Sequence, residues 1–216
     1  MKLPEAIKRV TQELSELPSI GPRQATRLAF YLVSQGVNEI RGLSDAISGL
    51  QDIKICSQCF FPTSVESGPR PREGVGVVSS IKMMLCDICK NPARTRDVIM
   101  IVEKETDLIS VENTGKFLGR YFIVGPIPKT GVFEDWQKLR IQNLKSIIEK
   151  ELGGSAGEII LGFNPTSLGD FHASLLSKEL QPLAKKISRL GRGLPTGGEI
   201  EFADDETLGG ALEHRA

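Results

Sequence analysis

The chain carries no excess charge of either sign. Lysine plus arginine and aspartate plus glutamate number 27 each in 216 residues. No global field therefore draws it to nucleic acid or to a membrane surface, and any basic surface must be local. Long apolar runs are lacking too, and none approaches the ~18 residues of a membrane span. The opening Met1-Lys2-Leu3-Pro4-Glu5 has no apolar segment, so no secretion signal is expected and the cytoplasm is the expected compartment. Internal repeats and low-complexity tracts are absent. A hydrophobic content of 40% and a charged content of 25% are ordinary for a globular chain, and this length can bury a core as one large or two small domains.

Cysteine is scarce, and what there is comes in pairs. The 4 cysteines form two C-x-x-C knuckles, Cys56-Ser-Gln-Cys59 and Cys86-Asp-Ile-Cys89. Such a set supplies the four thiolates that a tetrahedral Zn²⁺ takes, with none left over. In a reducing compartment the pattern reads as a metal site before it reads as disulfides; a redox pair or unliganded buried cysteines are the alternatives. Four thiolates close the coordination sphere, so the zinc is expected to be structural. The 2 histidines, His172 and His214, lie far away in sequence and are not needed as ligands; packing or surface roles are expected for them.

Ahead of the knuckles the periodicity is helical. Ile7, Val10, Leu14 and Leu17 share one face of a helix over about 4–16. Leu17-Pro-Ser-Ile-Gly-Pro22 then breaks it, with Gly21 able to take positive φ and Pro22 able to open a second helix that stops near Gly36. A third helix is predicted over about 38–50. This is a hairpin of helices. Its glycine turn can aim backbone N–H groups at a phosphate, and Arg23 and Arg27, four apart, share a face beside it. The alternative is a plain packing unit with solvated arginines.

After the knuckles the pattern changes to α/β. Val98-Ile-Met-Ile-Val102 reads as a strand buried on both faces. Tyr121–Val124 and Ile159–Leu161 are further strand candidates, with helices predicted over about 134–151 and 170–188, and a last one beginning at Asp204-Asp205-Glu206. This alternation implies a mostly parallel sheet flanked by helices. Glu103 follows the first strand and Asp170 follows another strand-to-loop segment. Two acids at neighbouring strand ends could hold Mg²⁺, although phosphoryl chemistry usually takes more carboxylates; solvated or hydrogen-bonded acids are the alternative. Gly191-Arg-Gly-Leu-Pro-Thr-Gly-Gly198 is glycine-rich but lacks the Gly-Lys-Ser/Thr ending of a P-loop, and it reads better as a structural turn.

The order of these parts resembles the RecR family of bacterial recombination mediators over nearly the whole chain. The resemblance is carried by Leu17–Phe30, by Cys56, Cys59, Cys86 and Cys89, by Val102-Glu103 with Asp107, by Asn164-Pro-Thr166, and most sharply by Ile187–Leu208. It implies an α+β, multi-part architecture: a helix-hairpin-helix region (1–53), a zinc finger (54–96), an α/β Toprim domain with a parallel sheet (97–186) and a C-terminal segment with a Walker B-like strand (187–216). It implies a non-enzymatic protein that binds DNA without sequence preference, assembles as a ring-like homo-oligomer, and acts with RecO and RecF to load RecA. Arg23 and Arg27, with Gly21, are then the DNA-contact candidates, and Glu103 and Asp170 are vestigial Toprim acids.

Three departures mark a divergent member. The spacer between the cysteine pairs is long, Phe60–Leu85, with Glu66–Gly74 expected as an exposed loop and Arg70, Arg72 and Lys82 as extra candidate DNA contacts. Leu168-Gly169-Asp170 stands where the family has two acids, so one Toprim acid is replaced by Leu168. Tyr121-Phe122 stands in place of a Tyr-His pair. The competing reading is a Mg²⁺-dependent Toprim nuclease or primase-like enzyme using Glu103 and Asp170. A protein–protein adaptor without DNA contact is a third.

Overall fold

The computed structural model describes residues 2–64 and 84–213. The stretch with Glu66–Gly74, Arg70, Arg72 and Lys82, and His214, lie outside the described residues. The chain divides into two compact units, Met1–Ile53 and Lys54–Ala216.

The first unit is three helices: α1 (Glu5–Ser15), α2 (Pro22–Gln35) and α3 (Val37–Gly49). Pro4 caps α1, its carbonyl accepting the amides of Ile7 and Lys8. Ala25 and Ala29 are the buried residues of α2; small side chains at i and i+4 let a neighbouring helix approach closely. Gly36, at φ 91, ends α2 and opens α3, a backbone state that a residue with a Cβ resists.

The second unit opens with β1 (Ile53–Ile55), paired to β2 (Pro62–Ser64). One helical turn, α4 (Asp87–Lys90), carries the second knuckle. Then come β3 (Val98–Val102), α5 (Glu105–Glu112), β4 (Arg120–Ile123), α6 (Asp135–Glu151), β5 (Glu158–Gly162), α7 (Ser167–Leu180), β6 (Ile187–Arg189) and α8 (Asp205–Glu213). The four strands β3 to β6 form one sheet in the order β4-β3-β5-β6, and every pairing is parallel.

Alternation along the strands splits the core in two. Ile99, Ile101, Phe122, Ile159 and Leu161 face one side, with Ile141, Leu144 and Ile148 of α6 and Leu176 and Leu180 of α7. Met100, Val102, Tyr121 and Ile123 face the other, with Leu108 of α5 and the half-buried Phe61 and Ile88 of the cysteine module. The continuous apolar run of β3 is thus buried on both faces, as its sequence predicts.

Two local expectations change. The helix predicted to reach 188 ends at Leu180, because Pro182 has no N–H to continue the ladder and Gln181–Leu183 tightens into a 3₁₀ turn. The chain beyond it then becomes edge strand β6. The segment 187–216 thus opens with a strand, and Ile200–Phe202 further on is a single 3₁₀ turn. In the helical hairpin the left-handed residue is Ser19, at φ 67. Gly21 is extended, at φ −83, since it is the N-cap of α2, a position that takes β-region geometry.

Candidate functional site

The hairpin brings an open helix end and two arginines together. No side chain caps α2, and Pro22 occupies its first position, leaving the amides of Arg23 and Gln24 as the unsatisfied donors of the first turn. A Cβ at Gly21 would meet nothing within 4 Å, so the glycine keeps that end uncovered. Arg23 and Arg27 are exposed, one helical turn apart, and neither forms an ion pair with a described residue. No acid occurs between Glu16 and Glu39. A balanced chain therefore has a locally cationic helix end.

The four cysteines converge. Their Sγ atoms all lie within 4.8 Å of one another, and a tetrahedral Zn–S shell with bonds of about 2.3 Å places sulfurs about 3.8 Å apart. Cys56, Cys59 and Cys86 are buried and Cys89 half-buried, with no disulfide. The amides of Phe61 and Cys86 donate to the sulfurs of Cys59 and Cys56, each at 3.4 Å, the outer-shell support expected of metal thiolates. So crowded a set splits in acidity: the hydrogen bond from Cys59 pulls the Cys56 thiol down, while Cys59 is pushed up by giving it. A divalent cation removes that conflict by favouring all four thiolates. The residues fit Zn²⁺.

The two acids expected as vestigial Toprim residues are each held by protein groups. Glu103 ends β3, 9% exposed. Its Oε1 accepts the Ile127 amide at 3.3 Å, its Oε2 accepts Asn164 Nδ2 at 3.3 Å, and Lys104 Nζ lies 3.5 Å away. Asp170 sits in the first turn of α7, where Arg189 and Arg192 both donate to its Oδ1, Arg192 at 2.7 Å. Arg192 also pairs with Glu206 of α8. The hydrogen bonds from Arg189, then Arg192, hold the Asp170 carboxyl below its ordinary value. Among the described residues the cysteines are the one cluster of three or more metal-ligating side chains. A cleft of about 630 Å³ does open at the carboxyl ends of β3 and β5, lined by Asp107, Asn164, Arg189, Arg192 and Thr207 among others. That is where α/β folds place ligands, yet both of its arginines are occupied by carboxylates.

His172 is fully buried, packed edge-on to Phe133, with its Nδ1–H donating to the Leu168 carbonyl at 2.9 Å. Sequence reasoning missed the group joining the first knuckle to the sheet. Arg140 lies 4.5 Å from the Phe60 ring centre and 4.9 Å from that of Trp136, and donates to the Ile123 carbonyl. Its only sequence signal is an arginine one turn after a tryptophan.

A hairpin of helices, a four-cysteine cluster shaped to hold a metal ion and a parallel α/β sheet in one chain define a multi-part α+β protein with a metal-knuckle module. Two family descriptions match it, "RecR, helix-hairpin-helix" over residues 7–50 and "RecR, C-terminal" over 193–216. Proteins named "Recombination protein RecR" are similar over nearly the whole length. That of Roseiflexus castenholzii is 34% identical, covering 99% of this chain and 94% of its own. That of Chloroflexus aggregans is 35% identical, covering 97% and 92%, and that of Dehalococcoides mccartyi 36%, covering 97% and 93%. The chain belongs to the RecR family, and its role lies in DNA recombination and repair. Among the described residues no helix is long and apolar enough to cross a membrane.

Proposed function

We propose that this chain is a non-enzymatic, DNA-binding recombination mediator that works as a clamp of several copies. The observation that carries the reading is the open N-terminus of α2 beside exposed Arg23 and Arg27, in a stretch without acids. Such a site grips phosphates and reads no base edges. Two arginines per subunit give modest affinity; several subunits on one strand multiply it by effective concentration. Assembly is supported by an apolar groove of about 500 Å³ within the helical unit, lined by Val10, Leu14, Leu32, Ile40, Leu43 and Ile47. Zn²⁺ in the four-cysteine site is structural. RecO and RecF homologues are the expected partners in loading RecA onto single-stranded DNA, and the cytoplasm is the compartment. The four parts keep the boundaries 1–53, 54–96, 97–186 and 187–216.

The enzyme reading has less support. Leu168 replaces one acid, Glu103 is bonded to Asn164 and the Ile127 amide, and Asp170 is bonded to two arginines. We read both acids as structural.

The test is a gel shift on end-labelled gapped DNA in Mg²⁺ across a salt series, with the same samples run under denaturing conditions. An uncut, shifted band that fades as salt rises is expected. Arg23→Ala with Arg27→Ala should abolish the shift while leaving the circular dichroism spectrum unchanged. Shortened or extended DNA would establish the enzyme. Undiminished binding by the double variant would remove the hairpin from the interface.

A further inference from the structure

The first knuckle does more than supply two sulfurs. Strand β4 is an edge of the sheet, with β3 on one side only. At Val124 the amide points inward, bonding the Val102 carbonyl at 3.0 Å. One residue earlier the direction reverses: the Ile123 amide donates at 2.9 Å to the carbonyl of Cys59, and the Ile123 carbonyl accepts Arg140 Nη1 at 3.1 Å. The outward backbone groups at this point of the open edge are thus taken by the knuckle and by the arginine stacked on it.

Four consecutive knuckle residues are anchored in the α/β layer. The Ser57 carbonyl accepts Asn143 Nδ2 at 3.3 Å. Gln58 Nε2 donates to Glu151 at 3.1 Å, a carboxylate shared with Arg120 of β4 at 2.9 Å. Cys59 takes the Ile123 amide. Phe60, held at φ 65, meets the Phe122 ring edge-on at 5.5 Å and lies under Arg140. Two of the four contacts reach β4 itself, and a third reaches it through the Glu151 carboxylate shared with Arg120. The turn that presents them is closed by Cys56 and Cys59, both of which the metal would hold.

We infer that the first knuckle is a cap on the open edge of the parallel sheet, and that zinc, by fixing the turn Ser57–Phe60, controls whether β4 is covered. Uncapped strand edges are templates for unwanted pairing, and a metal-set turn closes this one without adding a strand. The inference rests on the four-cysteine site and is independent of DNA binding.

Amide hydrogen exchange on the full chain, zinc-loaded and after chelation under reducing conditions, tests it. Chelation should speed exchange at Ile123 by at least about tenfold, as loss of a buried backbone hydrogen bond and its cover requires. The interior amides of β3 and β5 should keep their protection. A second sample, Phe60→Ala with Asn143→Ala, retains all four thiolates. At unchanged zinc content it should also speed exchange at Ile123, by a smaller factor. Unchanged exchange at Ile123 in both samples overturns the inference. So does equal loss of protection in all four strands on chelation, since zinc would then hold the whole fold and not its edge.

Discussion

Arg192 reaches back to Asp170, donating to its carboxylate at 2.7 Å, and with its other nitrogen pairs Glu206. One guanidinium thus ties the glycine-rich segment after β6 both to the first turn of α7 and to α8. Arg192→Ala should loosen the C-terminal segment locally. Faster amide exchange is expected in Asp205–Glu213, with a global change below about 1 kcal/mol, because the pairs are partly solvated. Unaltered exchange in α8 would show that the segment is held by other contacts.

The same cluster sets an acid limb. Arg189 first, then Arg192, holds the Asp170 carboxyl below its ordinary 3.8. A lowered folded value contributes stability above the unfolded value of about 3.9, lost as pH falls through the folded one. Asp170→Asn should therefore be less stable than the parent near neutrality, and the gap should narrow as the pH falls below about 4. A constant gap in thermal melts across that range would contradict the ion-pair account.

Zinc removal should be felt first at the cysteine module and the β4 edge it covers. Cys56→Ser is expected to bind less than one zinc per chain and to melt about 2–4 °C lower, the shift that ~1 kcal/mol gives in a chain of this size. Metal analysis and calorimetry on the same preparation check both. Full stability after chelation would show the metal to be dispensable.

Gly125 permits a close approach that can be read optically. Its φ is 98, and a Cβ there would stand 2.1 Å from the Trp136 ring. Gly125→Ala should cost about 1–3 kcal/mol and push Trp136 off Arg140. Trp136 is the chain's 1 tryptophan, so a change in emission wavelength reports it directly. An unchanged spectrum with unchanged stability would mean that the loop yields without strain.

What the sequence discloses depends on how local the cause is. The strand Val98–Val102 is legible because five consecutive apolar residues admit few alternatives, and the helices around Val10, Leu28 and Leu144 because their faces repeat. The cysteine site is legible because metal chemistry fixes the spacing. Strand β6 is not: Ile187-Ser-Arg189 is three residues long and becomes a strand only by pairing with β5. Helix α5 buries Leu108 alone and has little periodicity to show. Ser19 takes the left-handed position, while Gly21 two residues later is an extended N-cap, and no spacing rule separates the two roles. The stack of Phe60, Arg140 and Trp136 joins residues far apart in the chain, and pattern reading has no access to such a contact. Nor could spacing show that Asp170 is spoken for by Arg189 and Arg192.

The cysteine module also fixes where this protein can grow. β2 ends at Ser64 in the ribbon with β1, and Met84 is pinned through its carbonyl by the Ser57 amide at 2.8 Å. The closure cost of a longer connection rises only logarithmically, by about 0.6 kcal/mol for each doubling. Within Cys56–Cys59 a single added residue would shift every anchor at once. The module is intolerant at its turn, where the same four residues serve the sulfur cluster and the sheet edge at once.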